Sequence, residues 1–211
     1  EAMRWLESTT VRRFILLSGA RRVGKTTIMY QIIQSLLDKG AQPKSIMYVS
    51  FDHPILRFFS VEELVEIYIA NINPEEKCWL FFDEIQYADD WELYLKVFYD
   101  SRPNFYITAT GSASPIIEKG AGDSGVGRWN IIRVLTLSFF EYCKLAGIND
   151  VPKLNIDVTP TSLASMNEST QREIMHLLEP LQKHFTRYLA IGGFPELVLS
   201  DNDFAAQRIL R

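Results

Sequence analysis

Residues 19–26 read Gly-Ala-Arg-Arg-Val-Gly-Lys-Thr and match the pattern G-x-x-x-x-G-K-S/T. Residues 11–18 precede them and contain a four-residue apolar core, which predicts a buried strand, and a helical stripe of apolar residues over 28–37 follows. At such a junction, glycines let successive backbone N–H groups converge on phosphate oxygens, and the helix contributes its positive amino end. The junction therefore predicts a phosphate-binding loop between a strand and a helix.

Two residues of this loop have expected roles in nucleotide chemistry. Lys25 is expected to reach the β- and γ-phosphates as a catalytic cation, and the Thr26 hydroxyl is expected to bind Mg²⁺. Arg21 and Arg22 could contribute to phosphate affinity or contact a partner. The alternative is that both are solvated charges on the loop. The predicted nucleotide-binding set is Gly19, Ala20, Arg21, Arg22, Val23, Gly24, Lys25, Thr26 and Thr27.

Strand and helix patterns alternate along the first part of the chain. Ser60 and Glu63 form a capping box that predicts a helix start, and Asp90 is expected to cap a helix that begins at Trp91. Alternation of this kind predicts an α/β fold with a mostly parallel sheet and right-handed crossovers. The further predicted strands cover residues 46–51, 78–82, 105–109 and 130–137.

The composition changes after Leu145, where residues 147–170 are rich in Asn, Asp, Pro, Ser and Thr. This richness in turn-forming residues predicts a long surface insertion or a mobile loop. The predicted organisation is a phosphate-binding core over 1–146, the insertion over 147–170, and a helical lid region over 171–211 that starts a C-terminal domain.

Helical periodicity returns in the last part of the chain. Thr170 and Glu173 are expected to form the capping box of the first helix, which Pro180 should kink or divide. The helical pattern is still present at Arg211, so further residues are expected to follow it in the natural protein.

The overall composition limits the classes of function. A hydrophobic content of 47% and a net charge of −4 are typical of a globular protein without a bulk basic field for nucleic acid. No run of 18 apolar residues and no leader sequence is visible, so we expect a cytoplasmic protein without a membrane partner. Cys78 and Cys143 lack metal-ligand spacing and are expected to be reduced thiols.

An acidic pair, Asp83 and Glu84, follows the apolar run of residues 78–82. In a protein with a phosphate-binding loop, an acidic residue at the end of a buried strand is expected to hold Mg²⁺, which assigns Asp83 to the metal together with Thr26. The adjacent Glu84 can polarise an attacking water as general base. The alternative is that the pair only caps the next segment.

Hydroxyl side chains close the fourth predicted strand. A polar residue at this point could lie between the acidic pair and the γ-phosphate and orient the water, and we prefer Ser112 over Thr110 for this role. The alternative is that these hydroxyls satisfy a turn.

Arg128 follows a glycine-rich stretch at 120–127, which we expect to present it at the edge of the nucleotide cleft. There it could neutralise phosphoryl charge, and a surface salt bridge is the competing role.

Together these motifs resemble the AAA-type P-loop ATPases of archaea and bacteria that are called the archaeal ATPase-like group. The likeness covers nearly the whole chain, and its last two segments are more specific to the family than the phosphate-binding loop. The matching segments are GARRVGKTT (19–27), WLFFDEIQ (79–86), Trp91 with Tyr99 and Asp100, TGS (110–112), GR (127–128), LSFFEY (137–142) and YLAIGGFPEL (188–197).

The resemblance implies a P-loop fold of the additional-strand type, with a five-stranded parallel sheet of order 5-1-4-3-2 between helices and a helical C-terminal region. It supports Lys25 and Thr26 as ligands of ATP and Mg²⁺, Asp83 and Glu84 as the catalytic pair, and Arg128 as a finger or sensor. A homo-oligomer, and a DNA or protein partner bound through a further C-terminal region, are compatible with the family.

The motifs predict Mg-dependent ATP binding and hydrolysis that drives a conformational switch or remodels an unknown partner. One alternative is a regulatory module that binds ATP with little turnover. Another is a P-loop small-molecule kinase, although no arginine-rich lid is visible. No Asn-Lys-x-Asp segment is present to read guanine, so the sequence favours ATP over GTP.

Overall fold

The chain divides between Leu135 and Thr136 into two compact units. The predicted end of the core at residue 146 lies inside the second unit, and the predicted limits of the insertion and the lid stay predictions. Part of the predicted first strand, most of the glycine-rich stretch and the predicted helical pattern at Arg211 lie outside the described residues. The computed structural model describes residues 13–73, 77–112, 127–152 and 158–200.

The first unit is built on one parallel sheet. Its strands are β1 (Phe14–Ser18), β2 (Ile46–Ser50), β3 (Cys78–Asp83), β4 (Phe105–Gly111) and β5 (Trp129–Arg133). They are paired in the order β2-β3-β4-β1-β5. The predicted order 5-1-4-3-2 is the same order counted from the other side, so both the parallel sheet and its topology are confirmed.

Apolar side chains cover both faces of this sheet, because alternate residues of a strand point in opposite directions. Ile15 and Leu17 of β1 pack in one cluster with Met29, whereas Leu16 packs in a second cluster with Val65. Central parallel strands are apolar on both faces for this reason. The helices in the described part of this unit are α1 (Lys25–Asp38), α2 (Val61–Asn71) and α3 (Trp91–Ser101), with 3₁₀ turns at Pro43–Ser45, Pro54–Phe58 and Ile85–Tyr87.

The two predicted helix caps of this unit have different outcomes. The capping box of α2 is confirmed, because Glu63 N donates to Ser60 Oγ at 3.1 Å and Ser60 N donates to Glu63 Oε2 at 2.8 Å. Asp90 does precede α3, but its side chain makes no capping hydrogen bond. The cause is its left-handed backbone, with φ of 50°, since capping side chains act from extended backbone.

The fifth strand is shorter than predicted. It ends at Arg133, although Val134 N still donates to Ser18 O at 2.7 Å. Leu137, the predicted last residue of the strand, instead donates its N–H to Gly193 O at 2.7 Å within the second unit. The backbone has therefore left the sheet before Leu137.

The second unit is helical in its described part. Its first predicted cap is wrong: the helix begins at Glu168, because the Asn167 side chain accepts from Thr170 N at 2.9 Å. The division at Pro180 is confirmed by a 3₁₀ turn at Glu179–Leu181. The helices are α4 (Phe139–Leu145), α5 (Pro160–Ser165), α6 (Glu168–Leu178), α7 (Gln182–Ile191) and α8 (Pro195–Val198), so α5 and the start of α6 lie in the segment predicted as an insertion.

Both cysteines are core residues. Cys78 and Cys143 are buried, and this burial raises the pKa of each thiol. Burial in an apolar environment disfavours the charged thiolate form of both side chains. Of the helices in the described ranges, none has the length and hydropathy that a membrane span requires.

Candidate functional site

The predicted phosphate-binding loop connects the carboxyl end of β1 to the amino end of α1. Gly19 has to be glycine, because a Cβ at this position would lie 2.2 Å from Val134 O. Arg22 and Gly24 have left-handed backbone, with φ of 66° and 96°. A loop with this curvature directs successive N–H groups to one point, which is the geometry that binds phosphate.

Lys25 is buried beneath this loop, with 5% of its surface exposed. Its Nζ donates to Gly19 O at 3.0 Å and to Ala20 O at 2.8 Å. Burial lowers the pKa of Lys25, whereas the nearby charges of Glu84 and Asp83 act in the opposite direction. Lys25 thus has two neutral carbonyl partners within the loop that is predicted to bind phosphate.

Hydroxyl groups from two elements converge on the carboxylate of Asp83, which ends β3 and is 4% exposed. Thr26 Oγ1, in the first turn of α1, donates at 2.9 Å to Oδ2 and lies 3.2 Å from Oδ1. Thr110 Oγ1 of β4 also donates to Oδ1. These contacts bring together Thr26 and Asp83, the two predicted metal ligands, and both offer the hard oxygen atoms that Mg²⁺ prefers.

Thr110 also contacts the second acidic residue. Its Oγ1 accepts a hydrogen bond from Glu84 N at 3.0 Å, and the residue is fully buried in β4. Ser112 lies beyond the end of β4 at Gly111 and is partly exposed. This arrangement favours Thr110 as the polar residue between the acidic pair, which is the reverse of the preference drawn from the sequence.

Glu84 has an unusual backbone and a close side-chain partner. Its φ of 52° and ψ of 46° turn the chain sharply after β3. Gln86 Nε2 donates to Glu84 Oε2 at 2.5 Å, while Gln86 Oε1 is buried and makes no hydrogen bond to any residue in the described ranges. Nothing in the sequence marks Gln86 as a partner of Glu84, although Gln86 ends the segment 79–86.

Two tyrosines near Asp83 were also missed. Tyr48 Oη donates to Asp83 Oδ2 at 3.2 Å, and Tyr30 Oη donates to Tyr48 Oη at 3.0 Å. Burial raises the pKa of Tyr48 most, with further contributions from the Tyr30 hydroxyl and the Asp83 charge, so its O–H stays protonated. A lone tyrosine in a predicted strand gives no sequence signal for such a contact.

The loop arginines have different surroundings. Arg21 Nη2 donates to Tyr87 Oη at 2.6 Å, and the Arg57 guanidinium lies 4.0 Å from the centre of the same tyrosine ring. Tyr87 therefore joins the phosphate-binding loop to the segment that follows β2. Arg22 and Thr27 are both exposed, on the loop and on the first turn of α1 respectively.

Arg128 does not lie at the edge of this cleft, so that positional prediction is wrong. It immediately precedes β5, and its carbonyl accepts a hydrogen bond from Phe14 N, the first residue of β1. Its side chain pairs with Asp100, with Nε–Oδ1 at 3.1 Å and Nη2–Oδ2 at 3.2 Å. The length of β1, about 13 Å, separates this amino edge from the loop after Ser18.

Comparisons with known proteins identify the family and the extent of the likeness. Residues 11–143 match a family model described as an AAA domain. Two uncharacterised proteins of Methanocaldococcus jannaschii are 28% and 40% identical to the chain over 193 and 196 residues. These matches cover 92% and 91% of the chain but 38% and 40% of the relatives, so the chain spans about two fifths of their length.

Two solved structures were compared with the chain. PCH-2 of C. elegans aligns with a TM-score of 0.51 at 18% identity, over 100% of this chain and 65% of that one. A RuvB variant of Thermotoga maritima aligns with a TM-score of 0.46 at 19% identity, over 71% and 49%. At 18% identity the PCH-2 likeness shows the fold alone. The family match covers more than half of the chain, and the chain therefore belongs to the AAA domain family.

Proposed function

We propose that this domain binds Mg-ATP in loop 19–26 and hydrolyses it, and that the cycle drives a conformational switch or remodels a partner. One observation carries the proposal: the hydroxyls of Thr26 and Thr110 converge on the buried Asp83 carboxylate, and Glu84 follows it directly. Burying a carboxylate is costly unless its charge is used or compensated. A site that binds a cation and a phosphate makes use of that charge.

Binding of the phosphates is assigned to Lys25 and the loop backbone. The bonds that Lys25 Nζ makes to Gly19 O and Ala20 O join a cation to neutral acceptors. Exchanging these carbonyls for phosphate oxygens gives charge-assisted hydrogen bonds, which are stronger. The amino end of α1 adds its partial positive charge at the same place.

The oxygen donors of Thr26 and Asp83 fit a divalent cation. Thr26 would be a direct ligand, and Asp83 would act on the water shell of the ion. Mg²⁺ bound there would neutralise the charge that develops on the transferred phosphoryl group. Thr110 keeps Asp83 in place during the cycle, because its hydroxyl contacts Oδ1 rather than Oδ2.

Glu84 is proposed to accept the proton of the attacking water. Its backbone N–H is held by Thr110, so the position of the base is coupled to the position of Asp83. A correctly placed general base contributes about 10²–10⁴-fold to the rate. Removing the carboxylate should therefore stop turnover while leaving the binding residues intact.

The contact between Gln86 and Glu84 favours a second candidate function, a regulatory module with little turnover. Gln86 Nε2 donates a hydrogen bond to Glu84 Oε2 at 2.5 Å, so one carboxylate oxygen of the proposed base is already engaged. An engaged carboxylate oxygen accepts a water proton less readily than an exposed one. In such a module, ATP would be held as a structural ligand, and hydrolysis would start only after Gln86 had moved.

A homo-oligomer is proposed for the active form. Arg128 lies at the amino edge of the sheet, at a distance from its own loop, so a finger role would require the nucleotide of a neighbouring subunit. Its ion pair with Asp100 represents the competing structural role. A DNA or protein partner is proposed to bind outside this domain.

Two substitutions in the full-length protein test the proposed function. Lys25→Ala should abolish binding of a fluorescent ATP analogue, because it removes the cation that contacts the phosphates. Glu84→Gln should keep the ATP affinity and lose phosphate release by about 10²–10⁴-fold. The matched control is Glu62→Gln, the same chemical change on an exposed residue of α2, which should behave like the wild type.

The outcomes separate the two candidate functions. Glu84→Gln with wild-type phosphate release would remove Glu84 as the base. Wild-type protein that retains ATP for hours without releasing phosphate would support the regulatory module. Lys25→Ala with unchanged ATP affinity would overturn the binding site itself.

A further inference from the structure

The Asp83 carboxylate accepts hydrogen bonds from three hydroxyls, and one of them has no part in the proposed function. Thr26 Oγ1 lies 2.9 Å from Oδ2, and Thr110 Oγ1 contacts Oδ1. The third donor is Tyr48 Oη, 3.2 Å from the same Oδ2 that Thr26 contacts. Tyr48 belongs to β2, which is the edge strand next to β3.

The position of Tyr48 follows from the strand register. β2 and β3 are parallel, with Tyr48 opposite Phe81 and Ser50 opposite Asp83. Tyr48 and Ser50 lie on the same face of β2, since alternate residues share a face. The long phenol side chain can therefore reach diagonally to the carboxylate, a distance that a shorter side chain would not span.

Tyr30 of α1 extends this contact into a chain of hydroxyls. The single O–H of Tyr48 is donated to Asp83, which only accepts, so the Tyr48 oxygen accepts from Tyr30 at 3.0 Å. The two rings lie 5.3 Å apart between centroids. Hydrogen bonds in series polarise one another, so Tyr30 strengthens the donor that contacts the carboxylate.

We infer that Tyr48 is a positioning residue for the divalent-cation site and holds Oδ2 of Asp83 towards the metal and its water shell. The inference rests on the proposed function, in which Thr26 and Asp83 hold Mg²⁺. The Thr26 oxygen has to serve as a metal ligand, whereas Tyr48 contacts Oδ2 without itself occupying a ligand position. Hydrogen bonds behind a metal ligand fix its orientation, and their loss typically costs about 10–100-fold in metal affinity or activity.

The substitution Tyr48→Phe, which removes only the phenol oxygen, tests this role in the full-length protein. Mn²⁺ is titrated in the presence of ADP, and unbound Mn²⁺ is measured by electron paramagnetic resonance. Because Tyr48 is 36% exposed, Tyr48→Phe is expected to raise the Mn²⁺ dissociation constant at the lower end of that range, about 10-fold. Tyr30→Phe, which removes only the donor to Tyr48, should raise it about 2-fold.

The controls separate positioning from a loss of structure. Tyr106→Phe makes the same change near the amino end of β4 and should leave Mn²⁺ affinity unchanged. The affinity of Tyr48→Phe for a fluorescent ADP analogue in EDTA, and its melting temperature, should match the wild type. A lower melting temperature with parallel losses of metal and nucleotide binding would show a structural role and overturn the inference.

Asp83→Asn distinguishes failure of the inference from failure of the proposed function. If Asp83→Asn loses Mn²⁺ but Tyr48→Phe binds it with wild-type affinity, Asp83 holds the metal and Tyr48 does not position it. If Asp83→Asn binds Mn²⁺ as the wild type does, the metal site itself has been assigned wrongly.

Discussion

The carboxyl and amino edges of the same parallel sheet hold their charged residues in different ways. At the carboxyl edge, Asp83 is 4% exposed and receives several hydroxyl donors. At the amino edge, Arg128 and Asp100 form an ion pair with 25% and 49% of their side chains exposed. A buried carboxylate has a high desolvation cost, whereas an exposed ion pair contributes about 0–1 kcal/mol. This difference is what the proposed function leads us to expect, since it assigns the binding of a cation and a phosphate to the carboxyl edge.

The contrast has a topological cause. All five strands are parallel, so the segments after β1, β3 and β4 start at one edge and bring their side chains together there. Ligands of open α/β sheets bind at this edge for the same reason. At the amino edge the strands begin. In this domain that edge carries the ion pairs Arg128–Asp100 and Arg102–Glu66.

The strongest test of this contrast is Arg128, because a finger that acts on a neighbouring subunit would give the amino edge a function. Arg128→Ala is expected to leave ATP affinity near the wild-type value and to lower turnover of the assembled protein by about 10³–10⁵-fold. Phosphate release should be measured over a range of protein concentrations. Mixing with Lys25→Ala should restore part of the activity, because each variant supplies what the other lacks.

A second arginine at the same edge provides the control for this prediction. Arg102→Ala also removes an ion-paired arginine, but its turnover should stay near the wild-type rate. Full turnover of Arg128→Ala at every protein concentration would leave its pair with Asp100 as a structural contact. The two edges would then differ completely in function.

The next largest effect concerns the hydroxyls at the end of β4. Thr110→Ala removes the contacts to Asp83 Oδ1 and Glu84 N, so turnover should fall about 10–100-fold, the usual effect of losing a group that orients a ligand. Ser112→Ala is the matched comparison and should stay near the wild-type rate. Steady-state phosphate release decides between them, and a larger loss for Ser112→Ala would restore the preference drawn from the sequence.

Local sequence signals predicted most of the fold, and they marked the main residues of the candidate site. The phosphate-binding loop, the acidic pair and the buried strands are contiguous patterns, so each could be recognised without knowledge of its neighbours. The contacts of Tyr48 and Gln86 could not, since one depends on the register of β2 against β3 and the other on the left-handed turn at Glu84. The error at Arg128 is of another kind: a residue immediately before a strand of a parallel sheet lies at the amino edge, so its place in the sequence already indicated a position away from the loop after β1.

The smallest expected effect is at the second ion pair of the amino edge. Arg102 follows α3, and its Nη2 lies 2.9 Å from Glu66 Oε1, with 43% and 51% of the side chains exposed. Water screens such a pair, so Glu66→Gln should lower the free energy of unfolding by only about 0.5 kcal/mol, and by less in about 1 M salt. Urea unfolding at low and high salt measures this difference. ATP affinity and turnover should not change, since neither residue contacts the site after β1 and β3. If Glu66→Gln instead reduces turnover more than tenfold while the protein stays folded, the amino edge contributes to function through more than Arg128, and the distinction between the two edges fails.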